Sequence, residues 1–142
     1  MSRESRIIGE FGGERDGPLL ICLASVHGNE QAGIKAIDLV MKMLEVEPIT
    51  NPDFTFKGKM IGLIGNRTAY SLGRRYVDVD LNRQWTRDNV KMILQGKGDS
   101  EEWPVEWMEM RAILDLIRDI IAENQPEMVY LIDLHTTSAA GG

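Results

Sequence analysis

The sequence predicts an α/β layered fold, a parallel or mixed sheet with helices on both faces. Three apolar runs of strand length, at 19–26, 59–65 and 128–134, alternate with segments of helical period, and no internal repeat or low-complexity tract interrupts them. A nearly unbroken apolar run suits a strand covered on both faces, and short connections between such strands cross over right-handed. With 142 residues the chain has the length of one ordinary domain and can bury a sizeable core without disulfide or metal staples.

Pro18 opens the first run, Leu19-Leu20-Ile21-Cys22-Leu23-Ala24-Ser25-Val26, which ends at His27. From Glu30 the period changes. Ile34, Ile37, Met41 and Leu44 share one helical stripe, Lys35, Asp38, Lys42 and Glu45 lie off it, and Pro48 is expected beyond the helix end. Lys59-Met60-Ile61-Gly62-Leu63-Ile64-Gly65 is the second strand and ends at Asn66. The stretch from there to Arg83 has no clean period and many arginines, which predicts a loop. A short helix is expected over 89–95, followed by a flexible connector at Gly96-Lys97-Gly98-Asp99-Ser100, the most mobile part of the chain. Trp107, Met110, Ile113, Leu114, Ile117, Ile120 and Ile121 mark a long amphipathic helix that Pro126 closes. Met128-Val129-Tyr130-Leu131-Ile132-Asp133-Leu134 is the third strand and ends at His135.

Hydrophobic residues at 43% and charged residues at 27% are ordinary for a globular protein and exclude disorder, collagen-like repeats and coiled coil. No apolar run approaches the roughly 20 residues of a bilayer-crossing helix. The start, MSRESRIIGEFGGERDG, is charged and glycine-rich where a signal peptide needs an apolar segment. A single cysteine, Cys22, cannot form an internal disulfide or a cysteine-based zinc finger and fits a reducing compartment, so a cytoplasmic location is expected. Twenty-two acidic against 16 basic residues give a net charge of −6, the wrong sign for a nucleic-acid or membrane partner, and neither is expected.

The chain's two histidines, His27 and His135, both stand at strand ends. In open α/β sheets ligands bind outside the carboxyl ends of the strands, so His27, Asn66 and His135 converge on one rim. Glu30 follows His27 across a turn containing Gly28 and can point into the same space. Zinc takes imidazole nitrogen and carboxylate oxygen, and three protein ligands with a fourth position open suit catalysis rather than a closed structural site. A lone His-x-x-Glu also arises by chance, and two histidines can be one surface and one satisfied core residue; placement at strand ends favours metal. Asp133 shares a strand face with His135, where it either orients a ligand imidazole or caps a turn.

Arg67, Arg74, Arg75 and Arg83, with Asp78, Asp80 and Asn82 among them, form a second constellation. Arginine pairs bidentately with carboxylates, so the cluster suggests an anionic substrate group held near the metal; taken alone, a solvated charged loop also accounts for it.

His27-Gly28-Asn29-Glu30, then Asn66, then Arg75-Tyr76-Val77-Asp78-Val79-Asp80-Leu81-Asn82-Arg83, then Asp133-Leu134-His135-Thr136-Thr137 resemble, in order and spacing, the succinylglutamate desuccinylase/aspartoacylase family. That family is a branch of the zinc carboxypeptidase superfamily, and the matched segments run from about residue 18 to the last residue. The resemblance implies a mixed, largely parallel, zinc carboxypeptidase-like sheet and one zinc ion per chain on His27, Glu30 and His135. It also implies that Arg75 polarises the scissile carbonyl, that Asn66, Arg75, Asn82 and Arg83 bind substrate, with Asn82 and Arg83 as the clamp on its α-carboxylate, and that Asp133 orients a zinc ligand. The HGNE form and compact spacing favour the acylase branch over the superfamily's peptidases.

One departure is large. The family's general base is a glutamate well past the DLH motif, on a later strand, and no residue here takes that role. Residues 1–142 therefore resemble the N-terminal part of a C-terminally truncated catalytic domain. The reaction implied is hydrolysis of a small anionic N-acyl amino acid to a carboxylate and a free amino acid, with this stretch alone expected to be inactive. The alternatives are a zinc carboxypeptidase or cell-wall-peptide amidase, and a non-catalytic zinc or anion binder. The strand at 128–134 would lack the neighbours that later sequence supplies in the superfamily, so self-association through this edge is expected.

Overall fold

The computed structural model describes residues 5–96 and 102–136. Leu19–Ala24, which has no polar residue to offer solvent, forms the interior strand β2 of a four-stranded sheet. The others are β1 (Ile7–Gly12), β3 (Lys59–Ile64) and β4 (Val129–Leu134), in the order β1-β3-β2-β4. β2 runs parallel to β3 and to β4, and β1 runs antiparallel to β3, so the sheet is mixed and largely parallel.

Helices cover both faces. α1 (Ala32–Thr50) lays Ile37 and Met41 on Cys22, Ala24 and Met60, with Ile34 and Leu44 packed at the margin. On the other face α4 (Val105–Asn124) lays Met110, Ile113, Leu116 and Ile120 on Leu19, Ile21, Leu23, Ile61 and Leu63. Removal from water contributes about 1.5–3 kcal/mol for each such side chain, which fixes the layers. The stripe of α1 is the one the periodicity predicts; on α4, Leu116 joins the predicted residues in the core and Ile121 is exposed. α4 ends on Gln125 in the left-handed conformation (φ 43°), one residue before Pro126.

Three features depart from the expectations. β1 lies in the charged, glycine-rich start. As an edge strand it needs only Ile7, Ile8 and Phe11 to reach the core and leaves no continuous apolar run to read. α1 runs through Pro48 to Thr50; only Ile49 and Thr50 of the helix follow it, so the one bond that proline cannot donate interrupts the helix only in its last turn. The loop expected after Asn66 begins as a helix, α2 (Arg67–Leu72), too short to display a period; its signals were its ends, Asn66 accepting from the Ala69 N–H and Gly73 closing it at φ 66°. β4 instead agrees with the open edge expected at 128–134. Its residues Val129, Tyr130, Leu131 and Ile132 are 39–58% exposed, and among the described residues it pairs on one side only.

The short helix expected at 89–95 is α3 (Arg87–Gln95), capped by Thr86. Of the expected connector at 96–100, residues 97–100 lie outside the described residues, as does Thr137.

Candidate metal centre

Because β2, β3 and β4 are parallel, their carboxyl ends lie along one rim. The chain leaves β2 toward β3 on one side and β4 takes the other, so the switch point where ligands bind in open α/β sheets lies beside β2. His27 follows β2 and His135 follows β4, and Ala24 pairs with Leu134 at the rim, which brings the two rings to 5.3 Å between centroids.

Local chemistry builds the turn. Ser25 adopts φ 60°, unusual for a residue with a side chain, and its hydroxyl lies 3.1 Å from the His27 carbonyl and 3.0 Å from that of Gly28. The Glu30 N–H donates to the His27 carbonyl, which tightens the turn and sends both side chains the same way. Gly28 is pressed against α2 and the segment after it, and a Cβ there would lie 2.5 Å from the Tyr70 nitrogen. Its own N–H donates to the Arg75 carbonyl, joining the His27 turn to the arginine segment.

Ligand atoms of His27, Glu30 and His135 lie within 4.8 Å of one another. His27 Nδ1 faces Glu30 Oε2, and His135 Nδ1 is 3.7 Å from Glu30 Oε1. The opposite ring nitrogens are both held by carboxylates: His27 Nε2 is 2.9 Å from Asp80 Oδ1, and His135 Nε2 is 2.7 Å from Asp133 Oδ2. Two imidazoles and a carboxylate, each imidazole backed by a second carboxylate, form a donor set that fits a zinc ion.

Electrostatics favour ionised carboxylates here. Burial pushes the Glu30 carboxyl up, but the Thr136 N–H and the His27 ring outweigh it and hold the group below its ordinary pKa. For Asp80 burial again opposes, and the His27 ring, the Asn82 N–H and Arg75 outweigh it in the same direction.

Arg75 Nη2 lies 3.8 Å from Asp80 Oδ2, with its side chain about half exposed at the site's edge. Asn82 and exposed Arg83 sit in a single 3-10 turn, Leu81–Arg83, whose first N–H groups Asp80 caps. Asn66 is a different case. It is fully buried, and its side chain is committed to the Ala69 N–H and to Glu106, so it caps α2 and is not brought to the open face of the site. Asp80 and Ser25 were not singled out as site residues. Asp80 had a signal, its place two residues before Asn82 in the arginine segment, whereas Ser25 read as one more residue of an apolar strand.

A model of the succinylglutamate desuccinylase/aspartoacylase catalytic domain matches residues 16–142, and the chain belongs to this family. A probable aspartoacylase of Nostoc sp. is 29% identical over 120 residues, covering 84% of this chain and 35% of the Nostoc protein. A succinylglutamate desuccinylase of Pseudomonas syringae pv. tomato is 35% identical over 68 residues, 48% of this chain and 19% of its own length. Among solved structures, the succinylglutamate desuccinylase of Chromobacterium violaceum superposes with a TM-score of 0.58 at 22% identity, over 89% of this chain and 35% of that one. That of Vibrio parahaemolyticus gives 0.54 at 17% identity. The fold is therefore that of the desuccinylases, and the chain spans about a third of the length of the relatives that it matches over most of its own. Relatives in this family are hydrolases by name. No helix among the described residues is long and apolar enough to cross a membrane.

Proposed function

We propose that the protein is a zinc-dependent amidohydrolase that releases an amino acid from a small anionic N-acyl amino acid, residues 1–142 forming the N-terminal part of its catalytic domain. The observation that carries this reading is the His27, Glu30 and His135 donor set with Asp80 and Asp133 behind its two imidazoles, in a chain of this family. When bound, zinc supplies a Lewis acid and lowers the pKa of its water toward about 7.

The chain's own residues do the rest. His27, Glu30 and His135 hold the ion, and Asp80 and Asp133 fix the tautomer and direction of each ring. Arg75, half exposed beside Asp80, offers N–H donors to the amide oxygen where negative charge develops. Asn82 and Arg83, carried on the next turn, clasp the substrate's α-carboxylate, for which arginine's fork is suited. Glu30, Asp80 and Asp133 are each occupied by a histidine, so the reading assigns none of them as general base and expects this stretch on its own to turn over slowly or not at all. A cytoplasmic location belongs to the same reading, supported by the buried free Cys22, whose thiol burial pushes up in pKa.

The test is metal analysis after equilibration with zinc, followed by assays of the protein that carries this chain on a series of N-acyl amino acids and a series of dipeptides. One zinc per chain and turnover of the N-acyl series, lost on chelation, is expected. Turnover of dipeptides alone would make it a peptidase, and zinc binding without turnover of either would make it a binder.

A further inference from the structure

We propose that Glu106, 26 residues past Asp80 in sequence, is a positioning residue of the metal centre: its buried carboxylate clasps the Arg75–Asp80 segment and so holds Asp80 on His27. The inference rests on the metal reading above and deepens it.

Glu106 stands in the first turn of α4 and is fully buried. Its Oε1 accepts from the N–H groups of Asp78 (2.8 Å) and Val79 (2.9 Å). Its Oε2 accepts from the Val77 N–H (3.0 Å) and from Asn66 Nδ2 (2.7 Å). Three consecutive backbone N–H groups, none with a strand ladder to join, thus find their acceptor in one side chain. Asp78 answers from the other side. Its Oδ2 accepts the Val105 N–H at 2.7 Å, which serves the start of a helix whose N-cap, Pro104, makes no side-chain cap. The two acidic residues therefore tie the segments together from both sides: Glu106 satisfies the Asp78 N–H, and Asp78 satisfies the N–H of Val105, next to Glu106 in the chain.

What this clasp holds is the site. The segment meets the metal ligands at its two ends: the Arg75 carbonyl accepts from the Gly28 N–H (3.0 Å), and Asp80 Oδ1 meets His27 Nε2 (2.9 Å). The Glu106 bonds lie between those ends and also reach Asn66, at the end of β3. Release of the middle frees both ends together, and with them the carboxylate that orients one ligand imidazole. A merely structural carboxylate would lower stability without moving Asp80 relative to His27.

Two readouts separate these roles. The first is amide exchange at Gly28 in the metal-free protein, with Ile21 and Leu23 of the same sheet as internal references. The second is zinc affinity by competition with a chelator. Ile120→Ala, a core truncation at the far end of α4, serves as the control for general loss of stability. Glu106→Gln replaces one acceptor oxygen with a donor facing N–H groups; it is expected to speed Gly28 exchange at least tenfold relative to Ile21 and Leu23 and to weaken zinc binding about tenfold, the order found when partners of metal ligands are removed. Ile120→Ala is expected to leave the Gly28 ratio and the zinc affinity as in the parent. If Glu106→Gln does not fold, Asp78→Ala opens the clasp from its exposed side and takes its place, with the same changes expected. Gly28 protection equal to the parent's, or an equal loss in Ile120→Ala, overturns the proposal. A parent that binds no zinc overturns the metal reading instead, and the Gly28 exchange still decides this one.

Discussion

The two histidines of the candidate metal centre stand on unlike ground. His27 is 4% exposed, follows an interior strand, and sits in a turn tied by Ser25, by Gly28 against α2, and by Asp80 from the arginine segment. His135 follows an edge strand whose apolar residues face outward; its side chain is 30% exposed, and Asp133 and Glu30 are the groups placed around it. One ligand is preorganised by three separate parts of the chain. The other depends on a strand paired on one side, so strand β4 sets how well the donor set is closed.

The largest expected effect removes a ligand from either side. His27→Ala and His135→Ala each leave two donors and are expected to abolish tight zinc binding, as metal analysis after equilibration would report. Retention of zinc by both variants would show that the site lies elsewhere. Arg83→Ala comes next, tested in the active protein on N-acyl amino acids: kcat/KM is expected to fall by about 2–5 kcal/mol, as when one partner of a desolvated charge pair is lost. Arg83→Lys is expected to rescue only in part, because an ammonium has no fork, and full activity would refute bidentate binding.

A packing change sharpens the contrast further. Gly28→Ala forces a Cβ into the backbone of α2 and the Arg74 carbonyl, so a loss of about 1–3 kcal/mol is expected in thermal or denaturant melts. The carboxylates behind the rings differ by a smaller margin. Asp80→Ala is expected to weaken zinc binding about 100-fold and the more exposed Asp133→Ala about tenfold, read by chelator competition; a reversed order would mean that the β4 side governs affinity. The smallest effect concerns the edge itself. Strand groups beside Leu131 and Ile132 that find no partner among the described residues, with no proline or lysine in MVYLIDL, predict concentration-dependent association of residues 1–142 in light scattering, and Leu131→Lys is expected to reduce it. A monodisperse parent at high concentration would contradict this.

The sequence by itself determined the parts whose signal is local. Unbroken apolar runs gave β2, β3 and β4, a 3.6-residue stripe gave the core faces of α1 and α4, and the motif around His27 with the DLH around His135 gave the donor set. Elements with little core to bury, β1 and α2, left too few apolar residues to show a period. Tertiary structure alone decided which polar groups meet. Asp80 reaches His27 across 53 residues and Asn66 reaches Glu106 across 40, and the same pairing takes Asn66 away from the open face of the site. Hydrophobic period reports how each segment meets the core, whereas strand order and the partners of buried carboxylates are set by how segments far apart in the chain share one interior, and no local pattern encodes that.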